Sequence, residues 1–358
     1  MRQNDTMNDQ EQTSDKDRKI SESLRRFIEE QTENNQFSGA VLLARNAKPI
    51  LEMATGMANE NTETPNTVET SFNLGSCNKM FTGIAIAQLV ERGMLKFDGK
   101  VGEYLPDFPN ADITANVTIH HLLTHTSGMG HFLKDKARFK QVRENLKSIQ
   151  SFVDLFKDEP LEFRPGEKYS YSANGYELLG AIIEKISGLT YYDYIRENIF
   201  KSAGMNNTGF EADGNSAAGY TTKDDEGNQT LSTRRSNVDL NFVMGGAGGA
   251  GYSTCGNLLS FSQALWGNKL LSPETTRVIT TPKIEVGTKN GETLHYGYGF
   301  QILQTHNTWR VGHGGEFFGV SARFDTYPEQ GYTVVSLSNH DAPAAHRIAE
   351  KAKELILT

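Results

Sequence analysis

Strand-forming sequence sits at the two ends of this chain, and the long middle reads as helical. Near the N-terminus, Gly39–Ala44 and Pro49–Thr55 flank the turn Asn46-Ala47-Lys48 and read as a hairpin. Comparable signals return only at Tyr296–Leu303, Thr308–Val311, Gly319–Thr326 and Tyr332–Leu337. A lone two-stranded hairpin is marginal in water, so the first pair needs the last strands as partners. The expected product is an antiparallel sheet drawn from both ends of the chain, flanked by helices, with a mainly helical domain inserted. Ile20, Leu24, Phe27 and Ile28 share one face of a helix over residues 18–34. A last helix follows Asp341, with Pro343 in its first turn and Ala345, Ile348, Ala349, Ala352 and Ile356 on one face. Between them lie a helix from about Ser76 to Gly93 and helical windows at Ile119–Leu123, Phe152–Phe156, Tyr176–Ile186 and Tyr191–Phe200.

The expected domains are a discontinuous α/β sheet domain (residues 18–75 and 240–358) and a helical domain (76–239), with the site at their junction. Residues 1–17 are almost wholly polar and read as a disordered tail. That tail lacks the apolar stretch of a secretory signal, so the expected setting is the cytoplasm, or the periplasm or exterior if a signal has been removed. The net charge of −8 argues against nucleic acid as a partner, and no apolar run approaches the roughly 18 residues of a membrane span. Oligomeric state is not legible.

Chemistry concentrates where the central helix begins. Ser76 and Lys79 are three residues apart, so they share a helix face and the ammonium can fold back on the hydroxyl. A serine hydroxyl is a weak nucleophile until a basic nitrogen reaches it. Helix N-terminal N–H groups also favour an oxyanion there. Lys79 would have to be neutral, which burial among Met80, Phe81, Ile84 and Ala85 would promote. The competing reading is a plain capping serine. Cys77 reads as a small buried side chain. The run Gly245-Gly246-Ala247-Gly248-Gly249-Ala250-Gly251 has neither the lysine of a P-loop nor the setting of a dinucleotide fingerprint, and reads as a loop packed beneath the site. His120, His121 and His125 are dense enough to suggest a metal site.

Several longer stretches, in order, resemble the serine β-lactamase and penicillin-binding-protein superfamily. They are Phe72–Thr82, Leu89–Leu95, Tyr104–Pro109, Thr118–Gly128, Pro165-Gly166, Tyr169–Gly180, Ile199–Gly209, Gly249–Thr254 and His313–Gly319. The nearest likeness is to the branch holding class C β-lactamases, family VIII carboxylesterases and D-amino-acid peptidases. The resemblance implies a β-lactamase/transpeptidase-like fold and makes Ser76 the nucleophile. It places His120, His121 and His125 in a structural helix and turn leading to Ser127-Gly128, so no metal and no cofactor is expected. It makes Tyr171 a partner of Lys79 in general base catalysis, with a phenol pKa depressed by the lysine. It also implies an oxyanion hole from the Ser76 and Glu316 N–H groups, with His313 and Gly315 supplying a substrate-binding strand.

Two departures narrow the expectation. The usual Tyr-x-Asn motif appears as Tyr171-Ser172-Ala173-Asn174, so alanine stands where an asparagine would hold substrate and lysine, unless Asn174 takes its place. His313 stands where many members carry a lysine, and a neutral imidazole offers a carboxylate no permanent charge. Arg323 is a further candidate for a substrate carboxylate, read first as a surface arginine, and Trp309, Phe317 and Phe318 are candidates for an apolar acyl pocket. The expected function is a serine hydrolase working through an acyl-enzyme on carboxylic esters, small amides or D-amino-acid peptides. The alternatives are a β-lactamase or DD-peptidase, an acyltransferase, and a binding or sensing homologue without turnover.

Overall fold

The N-terminal hairpin finds its partners at the far end of the chain in the computed structural model, which describes residues 14–305 and 308–358. Strands β1 (Gly39–Arg45) and β2 (Lys48–Thr55) turn at Asn46 and Ala47, both at positive φ, as a tight two-residue hairpin turn requires. The other strands of the main sheet are β3 (Ile284–Lys289), β4 (Glu292–Tyr296), β5 (Gln301–Gln304), β6 (Trp309–Phe317), β7 (Val320–Tyr327) and β8 (Tyr332–Ser338). Their order is β2-β1-β8-β7-β6-β5-β4-β3, every neighbour antiparallel. Strand β1 zips onto β8 from Gly39↔Ser338 to Arg45↔Tyr332.

Three strand expectations shift. The run Tyr296–Leu303 is broken, because the Gly297 N–H bonds the Phe300 carbonyl and closes a turn. Strand β3 and all of β4 but Tyr296 went unread: four of the six β3 residues are exposed, and β3 includes Gly287 and lies at the sheet edge. Strand β6 runs on well past Val311 and takes in His313-Gly314-Gly315, which the ladder with β7 holds extended despite the low strand preference of glycine.

Both faces of the central strands are covered, so β1, β7 and β8 are buried along nearly their whole length. Val41 and Leu43 face helices α1 (Asp15–Glu33) and α5 (Ala344–Leu357), while Ala40, Leu42 and Ala44 join the larger core on the other side. Helix α1 starts at Asp15, capped by Ser14, so Asp15–Asp17 are helical and not part of a disordered tail; the rest of that expected tail, residues 1–13, lies outside the described residues. The larger core surrounds α2 (Lys79–Glu91), which is buried on nearly every side, with α3 (Ala173–Ser187) and α4 (Cys255–Trp266) among its neighbours. An all-round apolar helix belongs at the centre of such a core. Among the described residues, no helix is long and apolar enough to cross a membrane.

Candidate active site

Ser76 lies in a 3₁₀ turn, Gly75–Asn78, that runs directly into α2. Three anchors fix this turn. The Gly75 N–H donates to Asn73 Oδ1 at 2.8 Å, the Leu74 N–H donates to the Gly251 carbonyl of the glycine run, and the Ala250 N–H of that run donates to the Gly75 carbonyl. Gly75 has φ +50°, and a Cβ on it would lie 2.8 Å from the Glu316 nitrogen. Only glycine permits that conformation and so close an approach to β6. Neither end of the turn carries a side-chain cap bond, so the Ser76 hydroxyl is not spent on capping.

The hydroxyl instead meets Lys79, whose Nζ is 3.2 Å from Ser76 Oγ. Lys79 is 1% exposed, and its other hydrogen-bond acceptor is the Gly248 carbonyl. Both partners are uncharged. Burial therefore dominates and brings the ammonium down to about 7, although the Glu177 charge pulls the other way. The ammonium also sits over the rings of Tyr171 and Tyr176, 4.8 and 5.4 Å from their centroids.

Tyr171 shares a side-chain hydrogen bond with Ser76. Its phenol is not depressed as the sequence reading expected: burial pushes it well above its ordinary value and outweighs the Ser76 bond. Gly315 backs the serine turn, since a Cβ there would be 3.0 Å from the Ser76 nitrogen and would strike the Leu74 carbonyl. Ser76 and Glu316 line one cavity of about 40 Å³, which Lys79, Glu177, His131 and Phe317 also line.

Other candidates are elsewhere. The Asn174 side chain is buried and takes the Phe132 N–H at 2.8 Å, while Ala173 faces the cavity. His313 is buried beneath the site, its Nε2 2.8 Å from the Tyr296 hydroxyl, and burial holds it down to about 3. Its carbonyl accepts the Cys77 thiol, which burial pushes up to about 12. Arg323 is not a surface residue: it is buried on the other face of the sheet, bonded to Asp325 and to Gln301 at 2.7 Å. Trp309 packs beside His295, away from the cavity. Phe318 lines a neighbouring apolar pocket of about 390 Å³, which shares Leu133 and Phe317 with the Ser76 cavity. His120 pairs with Tyr298, His121 caps its own helix, and His125 accepts the Ser172 N–H.

The sequence model of the β-lactamase family matches residues 24–357. The chain belongs to the β-lactamase family. Penicillin-binding protein 4* of Bacillus subtilis (strain 168) is 32% identical over 93% of this chain and 75% of its own length. Esterase EstB of Burkholderia gladioli is 33% identical over 48% of this chain and 47% of its own length. A penicillin-binding protein from Bacillus halodurans superposes with a TM-score of 0.80 at 31% identity, covering 92% of this chain and 98% of that one. D-amino acid amidase from Ochrobactrum anthropi SV3, 20% identical, shares the fold, with a TM-score of 0.82 over 95% of this chain and 99% of that one. This β-lactamase-family chain is a serine hydrolase with the β-lactamase/transpeptidase fold.

Two ionisable residues of the cavity, His131 and Glu177, were not singled out in the sequence. Burial and the Lys79 charge hold His131 down to about 4. Glu177 did leave a signal: it is an acid within the apolar run of α3, one turn after Ala173, and a buried acid needs a partner.

Proposed function

We propose that this chain hydrolyses carboxylic esters and small amides whose acyl groups carry no carboxylate, D-amino-acid derivatives included, through an acyl-enzyme on Ser76. The observation that carries the reading is the buried Lys79 Nζ, 3.2 Å from Ser76 Oγ and brought down to about 7 by burial. A neutral Lys79 takes the hydroxyl proton as Oγ attacks the substrate carbonyl. The Ser76 and Glu316 N–H groups receive the oxyanion. The tetrahedral intermediate collapses, and the leaving alkoxide or amine takes the Lys79 proton through the Tyr171 phenol. That phenol stays protonated, so it relays a proton and Lys79 is the base. Water then attacks the acyl ester, releases the acid and restores Ser76.

The charge around the cavity favours esters and neutral amides over β-lactams or carboxylate-terminated peptides. Besides Lys79, its ionisable lining side chains among the described residues are Glu177, Glu316 and His131. None of these offers a permanent cation, and the buried His313 is neutral at pH 7. A fluorophosphonate probe should label Ser76, and Ser76→Ala should abolish turnover of short p-nitrophenyl esters. Full ester activity in Ser76→Ala would end this reading.

A further inference from the structure

Lys79 is held from behind by the Gly248 carbonyl, and that carbonyl is itself held. The Glu177 carboxylate accepts the Ala247 N–H at 3.0 Å and the Gly248 N–H at 2.9 Å, one on each oxygen. Thr82, one turn along α2 from Lys79, donates to the Ala247 carbonyl at 2.7 Å. The glycine run is shaped around this carboxylate: a Cβ on Gly246 would strike it, and one on Gly248 would come within 3.0 Å of it. The same Cβ on Gly248 would lie 3.6 Å from the Ala173 methyl, so the backbone reaches Lys79 through space that a longer side chain at 173 would contest.

We propose that Glu177 is the positioning residue of this site: its carboxylate clamps the Ala247–Gly248 backbone so that the Gly248 carbonyl holds Lys79, and its charge sets the ionisation of that lysine. The arrangement takes over the lysine-holding contact left vacant by alanine at 173. It rests on the reading of Lys79 as the base.

Of the two carboxylates lining the cavity, Glu316 is more than half exposed and lies 3.4 Å from His346, which leaves Glu177 as the charge acting on Lys79. Cys77 on the serine turn is pushed up to about 12 by burial, and Tyr171 and Tyr176 are raised by burial as well. His125 and His131, in the loops before α3, and His313 on β6 are all pushed down by burial, with the Lys79 charge adding to it. All six are neutral near pH 7. Glu177, faced on its far side by the neutral phenols of Tyr191 and Tyr192, is raised by burial to about 7 and opposed by its two backbone bonds and Lys79. It therefore titrates together with Lys79. Negative charge there raises the lysine, so removing it lowers the pH at which Lys79 becomes neutral.

The test is the pH profile of Ser76 labelling by a fluorophosphonate, alongside kcat/KM for a p-nitrophenyl ester. Glu177→Gln keeps the shape but removes the charge. Its acid limb should move about one unit to lower pH, and its rate above the limb should fall about tenfold as the Lys79 geometry loosens. Glu177→Asp keeps the charge on a shorter arm, so its rate should fall while the limb stays at the wild-type pH. An unmoved limb in a folded Glu177→Gln would overturn the proposal, as would equal limb shifts in both variants. Wild-type protein that is not labelled at Ser76 would instead sink the acyl-enzyme reading, which keeps the two failures distinct.

Discussion

Two sets of buried cations lie on opposite faces of strand β6, and they are treated in opposite ways. On the site face, the hydrogen-bond partners of the Lys79 ammonium among the described residues are a hydroxyl and a carbonyl. On the α5 face, Arg310 and Arg323 share the fully buried Asp325, Arg310 also meets Glu350, and Lys353 bridges Glu350 and Glu292 at 2.6 and 2.8 Å. Burial acts on both sets. At Arg310 the Asp325 and Glu350 charges outweigh it and drive the guanidinium further into its charged state. At Lys79 no ion pair forms among the described residues, and burial brings the ammonium down to about 7. The paired cluster pins a strand to a helix, whereas the sparsely paired lysine is left able to change charge. The difference is one of partners, not of depth.

The largest effect should come from making the two faces alike. Lys79→Arg places a permanent cation beside Ser76, and an arginine cannot serve as base, so kcat/KM for a p-nitrophenyl ester should fall by about 10³-fold or more. A variant retaining a tenth of wild-type activity would erase the contrast. Next, Asp325→Asn strips the arginines of their shared charge and should destabilise the fold by about 3–5 kcal/mol in urea unfolding. Remaining folded protein should keep its ester kcat/KM within a few-fold; a loss of activity matching Lys79→Arg would show the cluster to be part of the site.

The pH responses should separate in the same way. Activity should rise through a limb near 7 as Lys79 loses its proton. Stability from Glu350 follows the opposite logic: burial raises it, but Arg310 and Lys353 outweigh that and hold it down to about 2. Its contribution is therefore present above the ordinary glutamate value of about 4.5 and is lost as pH falls toward 2. The difference in unfolding midpoint between wild type and Glu350→Gln, measured from pH 7 to 2, should close only in that acid range, where the ester activity is already gone. A single midpoint governing both would merge the two regions.

The smallest effect belongs to Ala173→Asn. It crowds Gly248 and offers the substrate a new amide, so it should shift the ratio of amide to ester turnover a few-fold. Equal changes for both substrates would remove Ala173 from the specificity argument.

Much of this was legible because it depends on short range. The i, i+3 spacing alone aims Lys79 at Ser76, and the apolar neighbours of Lys79 announce its burial. Gly75 and Gly315 stand where backbone must pass close to backbone. The role of Glu177 was hidden because its partners, Ala247 and Gly248, lie some seventy residues away in the chain. Arg323 misled for a similar reason: strand alternation says which face it takes, but not that Asp325 and α5 cover that face. Asn174 was ambiguous in the motif, and the Phe132 N–H decided where it points.

By itself, then, the sequence determined the sheet's assembly from both chain ends, the family, and the pairing of a serine with a lysine. Those rest on periodicity, local spacing and ordered motifs. Tertiary structure decided which buried charges are paired and which are free to titrate. That outcome depends on the dielectric surroundings and on partners brought in from distant segments, and no local pattern encodes either.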